Sequence, residues 1–177
     1  MMTDTITTPT EETIYLGAGC FWGVETALAK LPGVLKTSVG YMGGYTENPT
    51  YKSICYSETN HAEVVAVTYD PTLTKLSLIL HIFFNIHDAT QLNRQGPDIG
   101  TQYRSCIFTT TEEQAEIVKK SITMVQVRTH KHIVTTLEPA PTYWEAEDYH
   151  QQYFKKNPYH PNCHFFDLDA LLASYLG

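Results

Sequence analysis

The sequence lacks a long apolar run and is poor in basic residues. Its longest apolar passage, Leu76–Ile86, is interrupted by polar side chains and falls short of the ~18 residues that a membrane span needs. The beginning of the chain has neither the basic nor the apolar region of a signal peptide. Its 12 Lys and Arg stand against 19 Asp and Glu, and the net charge of −7 disfavours nucleic acid and membranes as partners. We therefore expect a cytoplasmic protein.

Cysteine is also scarce, and its spacing excludes two common uses. The sequence contains no CxxC pair, which disfavours a four-cysteine zinc site. Structural disulfides are rare in the cytoplasm. The cysteines are therefore expected to be thiols, some of them reactive: Cys20, Cys55, Cys106 and Cys163.

Length and patterning indicate one folded domain of the α+β class. Residues 1–12 are rich in Thr and acidic residues and are expected to form a flexible tail, whereas residues 13–177 are expected to form a single domain. Strand-like and helix-like segments alternate in a twice-repeated strand–helix–strand order. Beyond Pro139 we expect a tail that wraps around this layer, with a helix over residues 145–154.

Cys20 lies between a strand-like segment and a helix-like one. A thiol at a helix N-terminus faces unpaired N–H groups and the positive end of the helix dipole, and both favour the nucleophilic thiolate. The adjoining Phe21 and Trp22 could wall a pocket for a methyl or thioether group. The alternative is that all three residues are ordinary core.

His61 and Glu63 open a strongly apolar strand. Strand alternation places both on one face with Val65 and Val67. Because ionisation on such a face is costly, we expect the pKa of Glu63 to rise, so that the carboxyl could donate a proton near neutral pH. The alternative is a carboxylate at the strand end that reaches solvent.

Two tyrosines lie in polar loops rich in Gly and Pro. Tyr51 belongs to a long loop over residues 40–60, and Tyr103 follows a loop that also contains Asp98. A phenol can donate to an oxygen that gains negative charge. Asp98 could orient a substrate or support a turn. With 12 tyrosines in the chain, neither phenol alone identifies a site.

Cys163 lies in a Pro- and Asn-containing segment near the C-terminus. An accessible thiol there suits a resolving cysteine, which condenses with a sulfenic acid. The alternative is a metal site made by His160, Cys163 and His164, but no second ligand pair has suitable spacing.

Several motifs together resemble the A-type peptide methionine sulfoxide reductases. They run in family order from Gly17 to about Tyr159: GCFWGVE, GYMGG, NPTY, HAEVV, YDP, NRQGPDIGTQYRS and EAEDYHQQYFKKNPY. The resemblance implies a two-layer α/β sandwich, with a ferredoxin-like core and an extended-coil C-terminal tail. It implies repair of oxidative damage through reduction of methionine-S-sulfoxide, free or in proteins. These enzymes return oxidised methionine to the reduced form.

The resemblance also implies a role for each matching residue. Cys20 corresponds to the nucleophile that becomes a sulfenic acid, and Cys163 to the thiol that resolves it as a disulfide, which thioredoxin reduces. The other matching residues act on the substrate: Phe21 and Trp22 hold its methyl group, Asp98 places it, and Glu63, Tyr51 and Tyr103 hydrogen-bond and protonate its oxygen. We expect a monomer without metal or organic cofactor.

Two other functions remain open on sequence grounds. One is a cysteine hydrolase that uses Cys20 with His61 as its base. The other is a non-catalytic module that binds methionine sulfoxide or a metal ion. A thiol titration before and after substrate distinguishes them, because only a reductase loses two thiols per sulfoxide.

Overall fold

A computed structural model describes residues 10–162 and 164–175, in which strands and helices alternate. The strands are β1 (Glu12–Ala18), β2 (Val34–Met42), β3 (Ala62–Tyr69), β4 (Arg94–Gln95), β5 (Asp98–Ile99), β6 (Ser105–Thr109), β7 (Thr136–Pro139) and β8 (Trp144–Glu145). The α-helices are α1 (Phe21–Ala29), α2 (Tyr51–Tyr56), α3 (Leu76–Asn85), α4 (Glu112–Thr129), α5 (Tyr153–Lys156) and α6 (Leu168–Ala173). Short 3-10 helices span Thr101–Tyr103 and Asp148–His150.

The main sheet has six strands in the order β7-β6-β1-β3-β2-β8. Its four central strands are antiparallel to one another. At the two edges, β7 pairs with β6 in parallel and β8 pairs with β2 antiparallel. The units β1-α1-β2 and β3-α3-β6 interleave in the sheet, which is the ferredoxin-like arrangement. The predicted α+β sandwich with a ferredoxin-like core is therefore confirmed.

One face of the sheet packs against the helices and forms the larger core. Alternate residues along a strand share a face, so Leu16 of β1 and Val65 of β3 both point towards Val24 and Leu28 of α1. Each is fully buried, and burying such a side chain stabilises the fold by roughly 1.5–3 kcal/mol. This packing holds the start of α1 beside β3, where the site lies.

The opposite face carries a smaller cluster covered by coil rather than by helices. Its buried residues are Met42, Ala62, Val64, Cys106 and Phe108, and Tyr15 and Tyr143 pack on it with ring centroids 5.2 Å apart. A Cβ at Gly17 would lie 2.5 Å from Cys106 Sγ, so the close approach of β1 and β6 requires glycine there.

Two local predictions were wrong. Residues 145–154 do not form one helix, because Gln152 has a left-handed φ of 53° that interrupts it. The predicted loop over 40–60 contains α2, whose N-terminus has a reciprocal capping box between Thr50 and Ser53. The predicted N-terminal tail falls largely outside the described residues, and its last residue, Glu12, belongs to β1.

Within the described ranges, no helix combines the length and the apolar character that a membrane span requires.

Candidate active site

Cys20 is the N-cap residue of α1, immediately after a tight turn from β1. Gly19 makes this turn with a φ of +92°, a conformation that residues with side chains rarely adopt. Gln95 also packs so closely that a Cβ at Gly19 would lie 2.9 Å from its side chain. The thiol is half-buried and stands at the positive end of the helix dipole.

Glu63 lies on β3, on the face that packs against α1. Its side chain is 2% exposed, so it does not reach solvent, and Oε1 accepts a hydrogen bond of 3.2 Å from the Phe21 N–H. Burial raises the pKa of Glu63 to about 8, and the nearby charge of Asp98 adds to the rise. A carboxyl with this pKa is largely protonated at neutral pH.

Seven of the eight site residues named from the sequence line one cavity of about 140 Å³. They come from five separate segments of the chain: Cys20, Phe21, Trp22, Tyr51, Glu63, Asp98 and Tyr103. Burial raises the pKa of both phenols, so each keeps its proton as a donor at neutral pH. Cys163, the eighth, lies outside the described residues.

Hydrogen bonds from distant segments position the two phenols. The Glu147 carboxylate accepts 3.0 Å bonds from the Tyr51 N–H and the Tyr41 hydroxyl, which ties the start of α2 to the sheet. The Arg104 guanidinium donates to the carbonyl oxygens of Asn60 and Thr101 at 3.0 and 2.9 Å. Each phenol is therefore held at the end of a short helix that is itself anchored.

The C-terminal segment completes the wall beside Trp22, which sequence reasoning did not anticipate. The Trp22 Nε1–H donates to His150 Nδ1 at 2.9 Å, and the indole stacks on Tyr153 with centroids 3.7 Å apart. His160 packs edge-on against the indole and also lines the cavity. No periodicity predicts these pairs, because more than 100 residues separate them and the segment is irregular. The only signal is the density of His and aromatic residues in the tail.

Glu25 fastens this segment to α1. Its buried carboxylate accepts hydrogen bonds from the Gln152 N–H at 2.8 Å, the Gln152 side-chain amide at 3.1 Å and the Thr37 hydroxyl at 3.0 Å. Gln152 precedes Tyr153 directly, so these bonds set the position of the ring that stacks on Trp22.

The geometry does not favour a hydrolase. Both ring nitrogens of His61 are engaged, since Nδ1 accepts from the Gly44 N–H and Nε2 bonds the Thr46 carbonyl, and the ring does not line the cavity. It is therefore poorly placed as the base of a hydrolase. Among residues 10–162 and 164–175, no group of three potential ligands could hold a metal ion.

The two cysteines without an implied role differ in accessibility. Cys106 is fully buried on the opposite face of the sheet, and burial raises the pKa of its thiol to about 12. Cys55 is exposed on α2, and its side chain hydrogen-bonds that of Tyr51.

Comparison with known proteins agrees with this architecture. The family model for peptide methionine sulfoxide reductase matches residues 12–171. The peptide methionine sulfoxide reductase MsrA of Methanothermobacter thermautotrophicus is 55% identical over 144 residues, 80% of this chain and 85% of that protein. Mxr1 from Saccharomyces cerevisiae in reduced form has a TM-score of 0.84 at 35% identity, covering 93% of this chain and 97% of that one. Mxr1 in complex with Trx2 has a TM-score of 0.60 at 26% identity, with 86% and 92% covered.

These matches define the class of the protein as an oxidoreductase. The chain belongs to the peptide methionine sulfoxide reductase family, in its A type.

Proposed function

We propose that the chain reduces methionine-S-sulfoxide, free or within proteins, and that thioredoxin restores the enzyme. The observation that carries this proposal is the shared cavity of Cys20 and a buried, largely protonated Glu63. Membership of the A-type family and the similarity to Mxr1 in complex with Trx2 support the substrate and the reductant. We further propose that the protein acts as a cytoplasmic monomer.

The first half-reaction needs a proton on the sulfoxide oxygen, which is otherwise a poor leaving group. The Cys20 sulfur attacks the sulfoxide sulfur while Glu63 gives its proton to the oxygen, with Tyr51 and Tyr103 donating hydrogen bonds to it. Glu63 recovers the proton that the Cys20 thiol releases. The hydroxyl then passes from the substrate sulfur to the Cys20 sulfur, while the bonds from the substrate sulfur to oxygen and to Cys20 break, so methionine leaves and Cys20 becomes a sulfenic acid. The sulfoxide is reduced by two electrons and Cys20 is oxidised by two.

Apolar contacts orient the substrate for this attack. Phe21 is buried beside the cavity, and Trp22 is held between Tyr153 and His150. These rings give the S-methyl group a rigid apolar surface. Asp98 also lines the cavity, and its carboxylate is available to the substrate main chain.

The second half-reaction forms a disulfide. The Cys163 thiol attacks the Cys20 sulfur of the sulfenic acid, the S–O bond breaks, and water leaves with the thiol proton. A thioredoxin dithiol then reduces the disulfide by exchange and is itself oxidised.

An assay on the two separated sulfoxide epimers tests the proposal. We expect the S epimer to be reduced with dithiothreitol or thioredoxin and the R epimer to remain. Cys20→Ser should form no methionine in a single turnover. Cys163→Ser should form one equivalent and then lose turnover supported by thioredoxin. Methionine formation by Cys20→Ser would contradict the assignment, and full thioredoxin turnover by Cys163→Ser would require another resolver, Cys55 or Cys106.

A further inference from the structure

His164 lines the active-site cavity, and nothing in the proposed mechanism uses it. Its Nε2 lies 2.9 Å from the carbonyl oxygen of Ala18. Because a carbonyl only accepts, Nε2 carries the hydrogen, and the lone pair of a neutral ring is then on Nδ1. Burial lowers the pKa of His164 and favours this neutral form.

The Nδ1 atom is buried and lacks a hydrogen-bond partner among the residues that the structure describes. The side chain is only 8% exposed, so water does not readily take the place of a partner. A buried acceptor without a donor is costly, and in a reaction cavity it points to a group that arrives during the reaction.

The position of Nδ1 relates it to Cys20. A Cβ on Gly23 would lie 2.5 Å from Nδ1, so the ring rests directly on this glycine. Gly23 is the third residue of α1 and Cys20 is its N-cap, so the ring packs on the first turn of the helix that Cys20 begins, and both side chains line the same cavity. Asn162 Oδ1 accepts a hydrogen bond of 2.8 Å from the backbone N–H of His164, which fixes the chain from which the ring extends.

The chemistry of the two half-reactions indicates where this acceptor acts. A neutral imidazole whose only N–H is engaged by Ala18 has no proton to give the sulfoxide, and Glu63 already supplies one. After the first half-reaction, however, an attacking thiol must lose a proton and the hydroxyl on Cys20 must gain one. The lone pair of Nδ1 can accept the proton of the attacking thiol and then give it to the departing hydroxyl.

We propose that His164 carries the proton in the resolving half-reaction, which rests on the proposed sulfenic acid at Cys20. Nδ1 takes the proton from the attacking thiol as the S–S bond forms. It then gives that proton to the departing hydroxyl as the S–O bond breaks, so that water leaves and the imidazole is neutral again. The attacking thiol is Cys163 in the enzyme's own cycle, or an external thiol where Cys163 is replaced.

Two variants distinguish proton transfer by His164 from a purely structural role, in which the ring only ties the C-terminal segment to β1. His164→Gln places an amide N–H where Nε2 was and can keep the bond to Ala18, but it removes the acceptor at Nδ1. His164→Asn places a carbonyl oxygen near the Nδ1 position, which accepts a hydrogen bond but cannot carry a proton, and it has no donor that reaches Ala18, so a slow His164→Gln is the result that distinguishes proton transfer from a tether. Exposed His132→Gln is the matched control.

The measurement follows each half-reaction of the full chain separately. Rapid quenching gives the rate of methionine formation in the first turnover, and loss of the dimedone-reactive sulfenic acid gives the rate of resolution. We expect His164→Gln to form methionine within about twofold of the unchanged chain and to resolve about 10²-fold more slowly, a size typical of proton transfer. In a Cys163→Ser background with β-mercaptoethanol as the attacking thiol, His164→Gln should slow the loss of the sulfenic acid by a similar factor.

Each outcome separates this inference from the proposed function. If sulfenic acid forms and His164→Gln resolves it at the unchanged rate while His164→Asn is slow, His164 is a tether and the inference is overturned. Unchanged resolution in both variants overturns it as well. If the unchanged chain forms methionine without a dimedone-reactive species, the proposed mechanism fails and the inference falls with it. First-turnover methionine formation shows in each variant that the site has folded.

Discussion

Two buried glutamates, Glu25 of α1 and Glu63 of β3, have different surroundings. Both are 2% exposed. Glu25 accepts three hydrogen bonds from Thr37 and Gln152, and these oppose the rise in pKa that burial causes. Glu63 accepts a hydrogen bond from the Phe21 N–H, and burial raises its pKa to about 8. Burial raises the pKa of both carboxyls, but hydrogen bonds oppose the rise at Glu25, whereas at Glu63 burial dominates and the carboxyl keeps its proton at neutral pH.

The two regions are connected through Trp22. The Glu25 region holds Gln152, and with it the Tyr153 ring that stacks on the indole. The Glu63 region faces the same cavity from β3. The first therefore builds the wall of the site and the second supplies its acid, and the two contributions can be tested separately.

The largest expected effect is that of Glu63→Gln on the chemical step. An amide of the same shape cannot give up a proton, so we expect the rate of methionine formation in a single turnover to fall by about 10²–10⁴-fold at pH 7. Glu25→Gln is the matched control and should retain this rate within about threefold. A Glu63→Gln rate close to that of the unchanged chain would show that Glu63 is not the acid.

The second expected effect concerns pH. Below pH 8 the buried Glu63 is protonated, and the single-turnover rate should fall as pH rises through about 8. The unfolded chain loses this proton near 4.5. Between these values the folded state binds more protons, so the free energy of unfolding should decline as pH rises, by roughly 3 kcal/mol at pH 7. Urea denaturation at pH 5 and pH 8 measures this decline, and Glu63→Gln should flatten it. An equal slope in both proteins would contradict the raised pKa.

The Glu63 region could be predicted further from the sequence than the Glu25 region. Alternation along β3 places Glu63 with Val65 on the helix-facing side, and that alone predicts burial and a raised pKa. The strand-to-helix turn around Cys20 is likewise a local signal. In contrast, Glu25 meets Gln152 across 127 residues, in an irregular segment predicted to be helical. Long-range pairing of this kind has no local periodicity. Neither the anchor, which is the set of hydrogen bonds from Thr37 and Gln152 to Glu25, nor the Trp22–Tyr153 stack could therefore be predicted.

Glu25→Ala should break the anchor. The Gln152 N–H and the Thr37 hydroxyl lose their acceptor, and we expect the free energy of unfolding to fall by roughly 3 kcal/mol. KM for the sulfoxide should rise about tenfold because the Tyr153 ring loses its support, while the pH profile of the single-turnover rate keeps its fall near 8. Glu25→Gln, which retains one acceptor, should lie between. A loss of stability with unchanged KM would show that the anchor does not position the wall.

Trp22→Phe tests the connection between the regions. It removes the indole N–H that His150 Nδ1 accepts and reduces the stack on Tyr153, leaving a buried acceptor without a donor. We expect KM to rise by about tenfold, equivalent to about 1.4 kcal/mol, with little change in the single-turnover rate at saturation. Steady-state and quenched measurements separate the two. A fall in the saturated rate instead would place Trp22 in the chemical step.

Thr37→Val should have the smallest effect and shows how robust the anchor is. The substitution keeps the shape of the side chain and removes one of the three hydrogen bonds to Glu25, while both donors of Gln152 remain. We expect a loss of about 1 kcal/mol in the free energy of unfolding, and KM and the single-turnover rate within about twofold of the unchanged chain. Thr123→Val, on the exposed side of α4, is the control. If Thr37→Val lowered activity as much as Glu63→Gln, the two carboxyls would act as one network and not as a separate acid and anchor.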